Sequence, residues 1–329
     1  MIYIENLSRD PSFNLALEEY LLTQRTDLED VFLLWQDEPT VVVGRNQNTL
    51  EEINQAYIET HGVHVVRRLS GGGAVYHDQG NLNFTFIVQD EKRSHFDFRR
   101  FTQPVIRVLT EMGIQAEDQG RNDISINGKK FSGNAQARVK NRLLHHGTLL
   151  FATSINDMVA CLHVGEDKFA SQGVKSTNSR VTNISDHLKR PMQIQSFKQL
   201  LKDRIWLEDG KDAREYVLTE ADLQAVELIK IQKYATWAWN YGASPPFNVQ
   251  CGKRFDWGKI EVRFQVSRGT VKDMVIYGDF FAARDITELT QKLAGIPYQQ
   301  AAFESVLASV PLQDYIPNLD LHGWMTLLF

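Results

Sequence analysis

Runs of apolar residues separated by turn residues predict mostly strands at the start of the chain. The pattern predicts a strand at Ile2–Glu5 and a helix beginning at Asp10-Pro11, because Asp suits the N-cap and Pro the first helical position. Val31–Trp35 and Thr40–Gly44 have the apolar character of buried strands, and Asn81–Val88 alternates with the period of a strand. Further predicted elements are a helix opened by a capping box at Thr49-x-x-Glu52 and reaching Ile58, a strand at Val63–Arg68 and an amphipathic helix at Phe98–Met112.

The order of these elements favours an α+β fold with two domains. Strands come in runs and hairpins rather than in strict alternation with helices, which is typical of a central mixed, largely antiparallel sheet flanked by helices. Tyr241-Gly242-Ala243-Ser244-Pro245-Pro246 has the composition of a linker. We therefore expect a larger domain at residues 1–244 and a small α/β domain at residues 245–329. In the latter, strands at Lys259–Val266 and Val271–Tyr277 flank a turn, and two helices follow.

Composition narrows the class of protein. A chain of 329 residues with 43% hydrophobic content can build one large core and a smaller one. The net charge of −5 gives no reason to expect nucleic-acid binding. Cys161 and Cys251 lie far apart and form no CxxC pair, which is typical of reduced thiols. Because no segment approaches the about 20 apolar residues of a membrane helix, we expect a cytoplasmic protein.

The most unusual segment runs from Arg67 to Asp78 and contains the three consecutive glycines Gly71, Gly72 and Gly73. Glycines expose backbone N–H groups and let the main chain approach a ligand closely, and Arg68 adds a charge suited to phosphate or carboxylate. The segment therefore fits an anion-binding loop between two strands. It matches neither the Walker motif nor the dinucleotide fingerprint. The alternative interpretation is a flexible linker or a tight turn.

A second segment predicts a β-hairpin around Asn127-Gly128, which is a strong two-residue turn signal. With that turn, Ser125 lies opposite Lys130, and Ile124 lies opposite Phe131. Ile124, Ile126 and Phe131 would then form an apolar face.

The opposite face of this hairpin would carry Asp123, Ser125 and Lys130. A carboxylate and an ammonium group would thus be held together on one rigid surface, while Lys129 would point to the other side. The alternative is an exposed ion pair on a solvated hairpin.

Three further features leave their interpretation open. His145 and His146 are adjacent in a predicted strand and point to opposite faces, so they are not expected to bind one metal ion together. The polar segment Lys168–Ile184 predicts either a surface loop or a lid that closes over a ligand. Arg121–Arg142 contains six basic residues and one acidic residue, which would suit an acidic partner, a nucleotide or solvent.

Several short motifs follow one another along nearly the whole chain. They are Arg68 with Ser70-Gly71-Gly72-Gly73-Ala74-Val75, Gly120-Arg121-Asn122-Asp123, Lys130-x-Ser132-Gly133-x-Ala135, His145-His146-Gly147-Thr148-Leu149-Leu150, Ser179-Arg180-Val181-Thr182-Asn183, Trp237-x-Trp239-Asn240-Tyr241-Gly242 and Phe255-x-Trp257-Gly258. One motif alone would be weak evidence, but the ordered set resembles the lipoate–protein ligase A family. The last two motifs are similar to those of the family's small accessory domain.

This resemblance implies a catalytic domain similar to biotin protein ligases and to the cores of class II aminoacyl-tRNA synthetases. It also implies a reaction in two steps. The lipoate carboxylate attacks the α-phosphate of ATP to give lipoyl-AMP and pyrophosphate, and the ε-amine of an acceptor lysine then attacks the acyl carbonyl. The implied acceptors are the lipoyl domains of 2-oxoacid dehydrogenase E2 subunits and the glycine-cleavage carrier protein.

The resemblance also implies roles for particular residues. Lys130 would be the catalytic residue, bridging the lipoate carboxylate and the α-phosphate because two anions must be brought together. Asp123 would help to place Mg²⁺, a hard cation that prefers carboxylate and phosphate oxygens. The implied ATP-binding residues are Arg68, Gly73, Ala74, Val75, Tyr76, Asn83, Asp123 and Lys130. The implied lipoate-binding residues are Ser70, Gly71, Gly72, Lys130 and His146.

Other functions remain as alternatives. A lipoyl or octanoyl transferase of the same fold would need a reactive thiolate, but Cys161 follows an apolar helical stretch that predicts a core thiol. A biotin ligase is disfavoured by the absence of a Gly-Arg-Gly-Arg pattern near the glycines. A non-catalytic protein that binds lipoate or lipoyl domains would have little use for Lys130 and Asp123 on one face. A hydrolase built from Ser70, His77 and Asp78 lacks the Gly-x-Ser-x-Gly elbow.

Overall fold

The computed structural model describes residues 1–90, 97–162, 180–209, 214–242 and 249–329. Its strands, numbered in chain order, are β1 (Ile2–Glu5), β2 (Val31–Trp35), β3 (Thr40–Val43), β4 (His64–Arg67), β5 (Val75–His77), β6 (Asn81–Gln89), β7 (Ala116–Gln119), β8 (Asp123–Ile126), β9 (Lys129–Val139), β10 (Arg142–Leu150), β11 (Arg214–Tyr216), β12 (Val249–Phe255), β13 (Gly258–Ser267) and β14 (Thr270–Gly278). Its helices are α1 (Pro11–Thr23), α2 (Thr49–Glu52), α3 (Gln55–His61), α4 (Arg99–Glu111), α5 (Ile155–Cys161), α6 (Ile194–Asp209), α7 (Glu220–Ile229), α8 (Trp237–Asn240), α9 (Ile286–Leu293), α10 (Gln300–Leu307), α11 (Leu312–Tyr315) and α12 (Leu321–Leu328).

An eight-stranded sheet is the framework of the larger part of the fold. Its strand order is β11-β1-β2-β6-β10-β9-β8-β7. β1 runs parallel to β2 and β11, whereas the remaining neighbours pair antiparallel. The strands β4-β3-β5 form a separate small sheet, in which β3 is parallel to β4 and antiparallel to β5. The expected α+β fold with a mixed, largely antiparallel sheet is confirmed.

Apolar side chains cover both faces of the main sheet. Because side chains of a strand alternate between faces, Phe32 and Leu34 of β2 join one core with α4 and α6. Val31 and Leu33 join a second core with α1 and α7 on the other face. Burial on both sides explains why β2 is continuously apolar in sequence. The candidate site lies on the α1 side of this sheet.

The start of α1 follows from its sequence. The Asp10 carboxylate accepts hydrogen bonds from the backbone N–H groups of Ser12 and Phe13, at 2.9 and 3.3 Å. Pro11 occupies the first helical position, as predicted.

The predicted helix from Thr49 to Ile58 is wrong in detail. Two short helices, α2 and α3, flank an extended Ile53, and the Asn48 side chain makes no capping hydrogen bond. The Thr49 hydroxyl instead donates to the carbonyl of Asn240 at 2.6 Å and accepts from Arg67 Nη2 at 2.6 Å. Long-range contacts therefore override the local capping signal.

The hairpin formed by β8 and β9 is confirmed, with one correction. Asn127 and Gly128 have φ of 52° and 73°, and Ser125 pairs with Lys130. Ile124 pairs with Ser132 rather than with Phe131, because the register shifts between Ile124 and Ser125. Phe131 is the extra residue of a β-bulge. The bulge lets Phe131 and Ile124 share the buried face.

The C-terminal part has its own core between the sheet β12-β13-β14 and helices α9–α12. The predicted strands around the turn are confirmed, and Arg268 and Gly269 in that turn have positive φ of 50° and 71°. The sequence predicted two helices after this hairpin, whereas the described residues carry four short ones. The expected boundary at residue 245 and residues 168–179 of the polar segment lie outside the described residues.

The helices of the described ranges include none with both the length and the apolar composition needed to cross a lipid bilayer.

Candidate active site

A cavity opens between the glycine-rich loop and the α1 face of the main sheet, with about 580 Å³ of empty space when the part open to solvent is included. Its apolar lining is Leu15, Trp35, Val42, Ala74, Val75, Ala135 and Phe281, together with the glycines Gly72, Gly73, Gly133 and Gly147. Its polar lining is Arg68, His77, Asn83, Asn122, Lys130, Asn134, His146 and Thr148. The cavity thus offers an apolar channel with a few placed polar groups.

Arg68 shapes the glycine-rich loop from inside. Its guanidinium donates hydrogen bonds to Ser70 Oγ at 3.0 Å and to the carbonyls of Val42, Gly71 and Gly73 at 3.1, 2.6 and 2.8 Å. Burial lowers the pKa of Arg68 to about 10, so the group stays charged at neutral pH. Much of its donor capacity is therefore committed to the loop.

Two glycines of the loop are required by their surroundings. A Cβ on Gly71 would lie 2.0 Å from the carbonyl oxygen of Phe280, which belongs to the C-terminal part of the chain. Gly72 has φ of +90°, and its N–H donates to the same carbonyl at 3.2 Å. A Cβ on Gly73 would meet no atom within 4 Å. Gly73 is therefore the glycine whose space is open to a ligand.

The β8–β9 hairpin brings a cation to the same cavity. Lys130 Nζ lies 2.8 Å from Asp123 Oδ1, and the two side chains are 39% and 33% exposed. A Cβ on Gly133 would lie 3.0 Å from this ammonium nitrogen, so glycine leaves room for it. Lys129 is exposed on the other side of the strand, whereas Ser125 is fully buried. The predicted facing of the two lysines is confirmed.

A strand-like contact fixes the backbone of Lys130. Its N–H donates to the carbonyl of Arg180 at 2.8 Å, and its carbonyl accepts from Thr182 at 3.0 Å. Val181 forms the corresponding parallel bridge. The Arg180-Val181-Thr182 segment therefore pairs with the β8–β9 hairpin through the backbone of Lys130.

At the other end of the cavity a buried hydrogen-bond network joins loop, sheet and helix. Ser70 Oγ lies 2.6 Å from His146 Nε2, and His146 Nδ1 lies 3.0 Å from Glu18 Oε2. Thr85 donates to Glu18 Oε1 at 2.5 Å. Since a carboxylate only accepts, the neutral form of His146 carries its proton on Nδ1, and its Nε2 then accepts from Ser70. The network holds His146 in one orientation.

His77 occupies a similar setting beside Asn83. Its Nδ1 lies 2.7 Å from Asp37 Oδ2, and the pair is almost completely buried. The edge of the Trp35 ring packs against the imidazole, with centroids 5.9 Å apart.

Most residues singled out from the sequence come together at the cavity. Arg68, Gly72, Gly73, Ala74, Val75, Asn83, Lys130 and His146 line it. Ser70, Gly71, Tyr76 and Asp123 do not line it. Ser70 holds His146, Asp123 holds Lys130, and Tyr76 packs in the apolar cluster of Val41, Val43 and Cys161. Strand alternation explains Tyr76, because its neighbours Val75 and His77 take the cavity side.

Several lining residues were missed by the sequence analysis. Trp35 belongs to a predicted strand, whereas His77 was placed in the glycine-rich loop; it lies in β5, where it shares the alternation of Val75. Glu18 is buried in the middle of α1, one turn after the buried Asn14. A buried acid at this spacing signals a polar partner, here His146. Phe281 comes from a distant part of the sequence, and no local pattern indicates its position.

The basic segment Arg121–Arg142 is not a continuous surface patch. Arg138 pairs with Asp90, its Nε 2.7 Å from the carboxylate, and Arg142 is 1% exposed and donates to the carbonyls of Leu21 and Arg25. Arg138 and Arg142 are therefore engaged within the protein, and the interpretation of this segment as a docking surface for an acidic partner stays a prediction for its other basic residues.

The two thiols lie away from the cavity. Cys161 is completely buried among apolar side chains, and burial raises the pKa of its thiol to about 11. A thiol of that kind is a poor nucleophile at neutral pH. Cys251 belongs to the C-terminal sheet, where its Sγ lies 3.7 Å from the carbonyl of Leu328.

In the described residues, no group of three or more His, Cys, Asp or Glu side chains could by itself hold a metal ion. The carboxylate next to the cavity is that of Asp123, which contacts the lining residue Lys130, and the amides of Asn122 and Asn134 lie in the cavity wall. One carboxylate suits Mg²⁺ that is bound mainly by phosphates and water.

An apolar cavity with a lysine beside a glycine-rich loop suits a ligand that has both an apolar chain and an anionic group. Residues 10–206 match the family described as lipoyl protein ligase A/B catalytic domain, and residues 244–328 match the bacterial lipoate protein ligase C-terminus. The chain belongs to the lipoate–protein ligase family.

One relative and one solved structure match nearly the whole chain, and a second structure matches about three quarters of it. The chain is 42% identical over 331 residues to the lipoate-protein ligase LplJ of Bacillus subtilis, with 100% of both chains covered. The crystal structure of P. falciparum LipL1 in complex with lipoate has a TM-score of 0.80 at 26% identity, covering 99% of this chain and 97% of that one. The structure of lipoate-protein ligase A bound with ATP has a TM-score of 0.63 at 26% identity, covering 74% and 99%.

Proposed function

We propose that this protein activates lipoate with ATP to form lipoyl-AMP and transfers the lipoyl group to a lysine of an acceptor protein. The observation that carries the proposal is the position of Lys130 at the cavity beneath the glycine-rich loop. The lipoate complex of LipL1 and the ATP complex of lipoate-protein ligase A support the two substrates. The B. subtilis relative is named a lipoate-protein ligase.

In the first half-reaction, Lys130 brings two anions together. Its ammonium contacts the lipoate carboxylate and the α-phosphate as charge moves from the attacking carboxylate to pyrophosphate. Backbone N–H groups at Gly73, Ala74, Val75 and Tyr76 donate to the nucleotide, and Asn83 offers a side-chain amide. The Arg68 guanidinium is largely engaged by the loop, so it mainly orders the loop and adds positive charge near the phosphates.

The apolar lining accepts the alkyl chain of the acid. Leu15, Trp35, Val42 and Val75 form its walls, and His146 lies at the far end with Ser70 and Glu18 behind it. Gly72 and Gly73 let the loop close over the chain. A saturated chain gains about 0.8 kcal/mol for each buried CH₂ group, so this wall supplies much of the affinity.

Mg²⁺ fits the proposed site as a partner of the phosphates. Asp123 would bind the ion, directly or through water, when its carboxylate no longer pairs with Lys130. The ion supplies charge neutralisation for the triphosphate. The side chains of Asp123 and Lys130 are both partly exposed, which leaves them free to exchange partners.

In the second half-reaction, the acceptor lysine attacks the acyl carbonyl and AMP leaves. The proposed acceptors are lipoyl domains of 2-oxoacid dehydrogenase E2 subunits and the glycine-cleavage carrier protein. No protein nucleophile is needed, which is consistent with the buried Cys161. We assign this chemistry to residues 1–244 and an accessory role to residues 245–329.

The proposal is tested by incubating the protein with ATP, Mg²⁺ and lipoate and searching for lipoyl-AMP by mass spectrometry. A purified E2 lipoyl domain is then added, and its mass is followed. We expect lipoyl-AMP only when all three components are present, and then a mass increase of one lipoyl group on the domain. ATP-independent transfer from a lipoyl thioester would instead support the transferase alternative.

A further inference from the structure

His77 lines the cavity and has no part in the first half-reaction. Its Nδ1 lies 2.7 Å from Asp37 Oδ2, while its Nε2 is buried and makes no hydrogen bond with the described residues. A carboxylate oxygen accepts hydrogen bonds, so the neutral ring carries its proton on Nδ1. Nε2 therefore keeps an unused lone pair, buried within a side chain that lines the substrate cavity.

Asp37 holds this ring in one tautomer and one orientation. It is completely buried, and its second oxygen accepts from Asn14 Nδ2 at 2.8 Å. Burial raises the pKa of Asp37, and the hydrogen bond from His77 lowers it in part. The Trp35 ring closes another side of the imidazole. Such an Asp–His pair is the arrangement that orients a base.

The sheet register puts His77 at the same end of the cavity as Lys130. Asn83 pairs with Thr148, and Thr148 Oγ1 accepts from the N–H of Gly133 at 3.1 Å, next to Lys130. His77 Nδ1 lies 3.4 Å from Asn83 Nδ2. These contacts bring His77 and Lys130 to the same end of the cavity, whose wall both side chains line.

We propose that His77, oriented by Asp37, is the catalytic base of the transfer half-reaction. This inference rests on the proposed function. The acceptor amine loses one proton to solvent when it binds in its neutral form, and its nitrogen then bonds to the acyl carbon. Nε2 takes the second proton from that nitrogen. The C–O bond to AMP breaks, the electron pair stays on the phosphate oxygen, and His77 returns its proton to solvent.

Charges around the ring set the expected pH dependence. Asp37 faces it from the turn after β2, Asn83 faces it from β6, and Lys130 of β9 lines the same cavity. The negative charge of Glu18, on α1, also raises the pKa of Asp37. A base acts in its unprotonated form, whereas adenylate formation moves no proton. The pH profile of transfer is therefore compared with that of adenylate formation.

The test measures the two half-reactions separately in the full-length protein. Lipoyl-AMP formation is followed by quenched-flow mass spectrometry, and transfer is followed after adding an E2 lipoyl domain, both between pH 5.5 and 9. The variants are His77→Asn, whose amide can still donate to Asp37, and His77→Gln. His61→Asn, an exposed histidine on α3, is the matched control. Free imidazole is added as a rescue.

We expect both His77 variants to form lipoyl-AMP within threefold of the native rate and to transfer about 100-fold more slowly, with partial rescue by imidazole. Equal losses in both half-reactions, or transfer within threefold of native, would overturn the inference. In the native protein alone, a transfer rate with the same pH profile as adenylate formation would also overturn it. Absence of lipoyl-AMP in the native protein would instead mark failure of the proposed function.

Discussion

Two cations of this site differ in what surrounds them, and the difference decides their roles. The Arg68 guanidinium is buried and donates to three backbone carbonyls, whereas the Lys130 ammonium is partly exposed and has Asp123 beside it. A buried cation bound by carbonyls is a structural element. A partly exposed one can exchange its partner for a substrate. The first shapes the loop, and the second is available for chemistry.

Arg68→Ala should therefore cost stability as well as activity. Three buried carbonyls would lose a charged donor, and we expect the free energy of unfolding to fall by about 3 kcal/mol. Urea denaturation measures this. Lys130→Ala, which removes a partly exposed ion pair, should change it by less than about 1 kcal/mol. Similar losses in the two variants would contradict the distinction.

His145 should make stability depend on pH. Burial, and secondarily the neighbouring His146, keep the pKa of His145 well below its ordinary value. The unfolded chain then binds a proton that the folded chain excludes, so stability is full above about pH 6.5 and falls on acidification below it. Between pH 6.5 and 5.5 this one group should cost about 1 kcal/mol. Urea denaturation at both values measures the change.

His145→Gln should lose this contribution to the pH dependence, because an amide does not titrate. His61→Gln, at an exposed position, should keep the native dependence. If the native protein and both variants lose the same free energy of unfolding between pH 6.5 and 5.5, another group is responsible.

At the residue scale, the sequence is informative where one local rule acts. Asn127-Gly128 and strand alternation were sufficient to predict that Lys130 and Lys129 face opposite ways. The bulge at Phe131 escaped prediction, since it depends on how the hairpin packs against the core. Glu18 and His77 escaped because their partners, His146 and Asp37, are distant in sequence.

In the glycine-rich loop, adding one methyl group at Gly71 or at Gly73 tests two different surroundings. A Cβ at Gly71 would collide with the Phe280 carbonyl, whereas a Cβ at Gly73 would enter the open cavity. Gly71→Ala should lower the free energy of unfolding by about 2 kcal/mol or more. Gly73→Ala should leave stability within about 0.5 kcal/mol of native and raise the KM for lipoate or ATP instead.

Thermal or urea unfolding together with steady-state kinetics distinguishes these two effects. Gly71→Ala with native stability would mean that the loop does not rest on Phe280. Gly73→Ala with native KM values would mean that the ligand lies elsewhere.

At the scale of elements, the pattern of apolar residues identified most strands but not which strands pair with each other. The strands β1, β2 and β6 agree closely with prediction because each has a run of apolar or alternating residues. That β3, β4 and β5 form a separate sheet could not be predicted, since pairing is set by long-range contacts. The capping signal at Thr49 failed for the same reason, because its hydroxyl serves Arg67 and Asn240.

At the scale of the molecule, the C-terminal part closes the cavity. Phe281 lines it and packs against Phe98 and Ala135, and the Arg121 guanidinium lies over its ring at 4.5 Å. Arg45 Nη2 pairs with Asp285 Oδ2 at 2.7 Å across the same boundary. In the proposed function, an aromatic side chain at this position shields the acyl phosphate from water.

Phe281→Ala should therefore release or hydrolyse lipoyl-AMP faster, by about tenfold, which corresponds to about 1.4 kcal/mol. Filtration of a preformed adenylate complex at timed intervals, followed by mass spectrometry, measures retention. Phe329→Ala, at a 52% exposed aromatic residue of the C-terminal part, is the control and should retain the adenylate normally. Equal retention in both variants would mean that Phe281 does not seal the cavity.

The most direct measurement of the central claim is lipoate-dependent exchange between ATP and labelled pyrophosphate in native protein, Lys130→Ala and Lys129→Ala. Lys130 lies at the cavity beside Asp123, and Lys129 points away on the same strand. We predict that Lys130→Ala lowers exchange by about 1,000-fold with little change in stability, whereas Lys129→Ala stays within twofold of native. Equal exchange in the two variants would contradict the account.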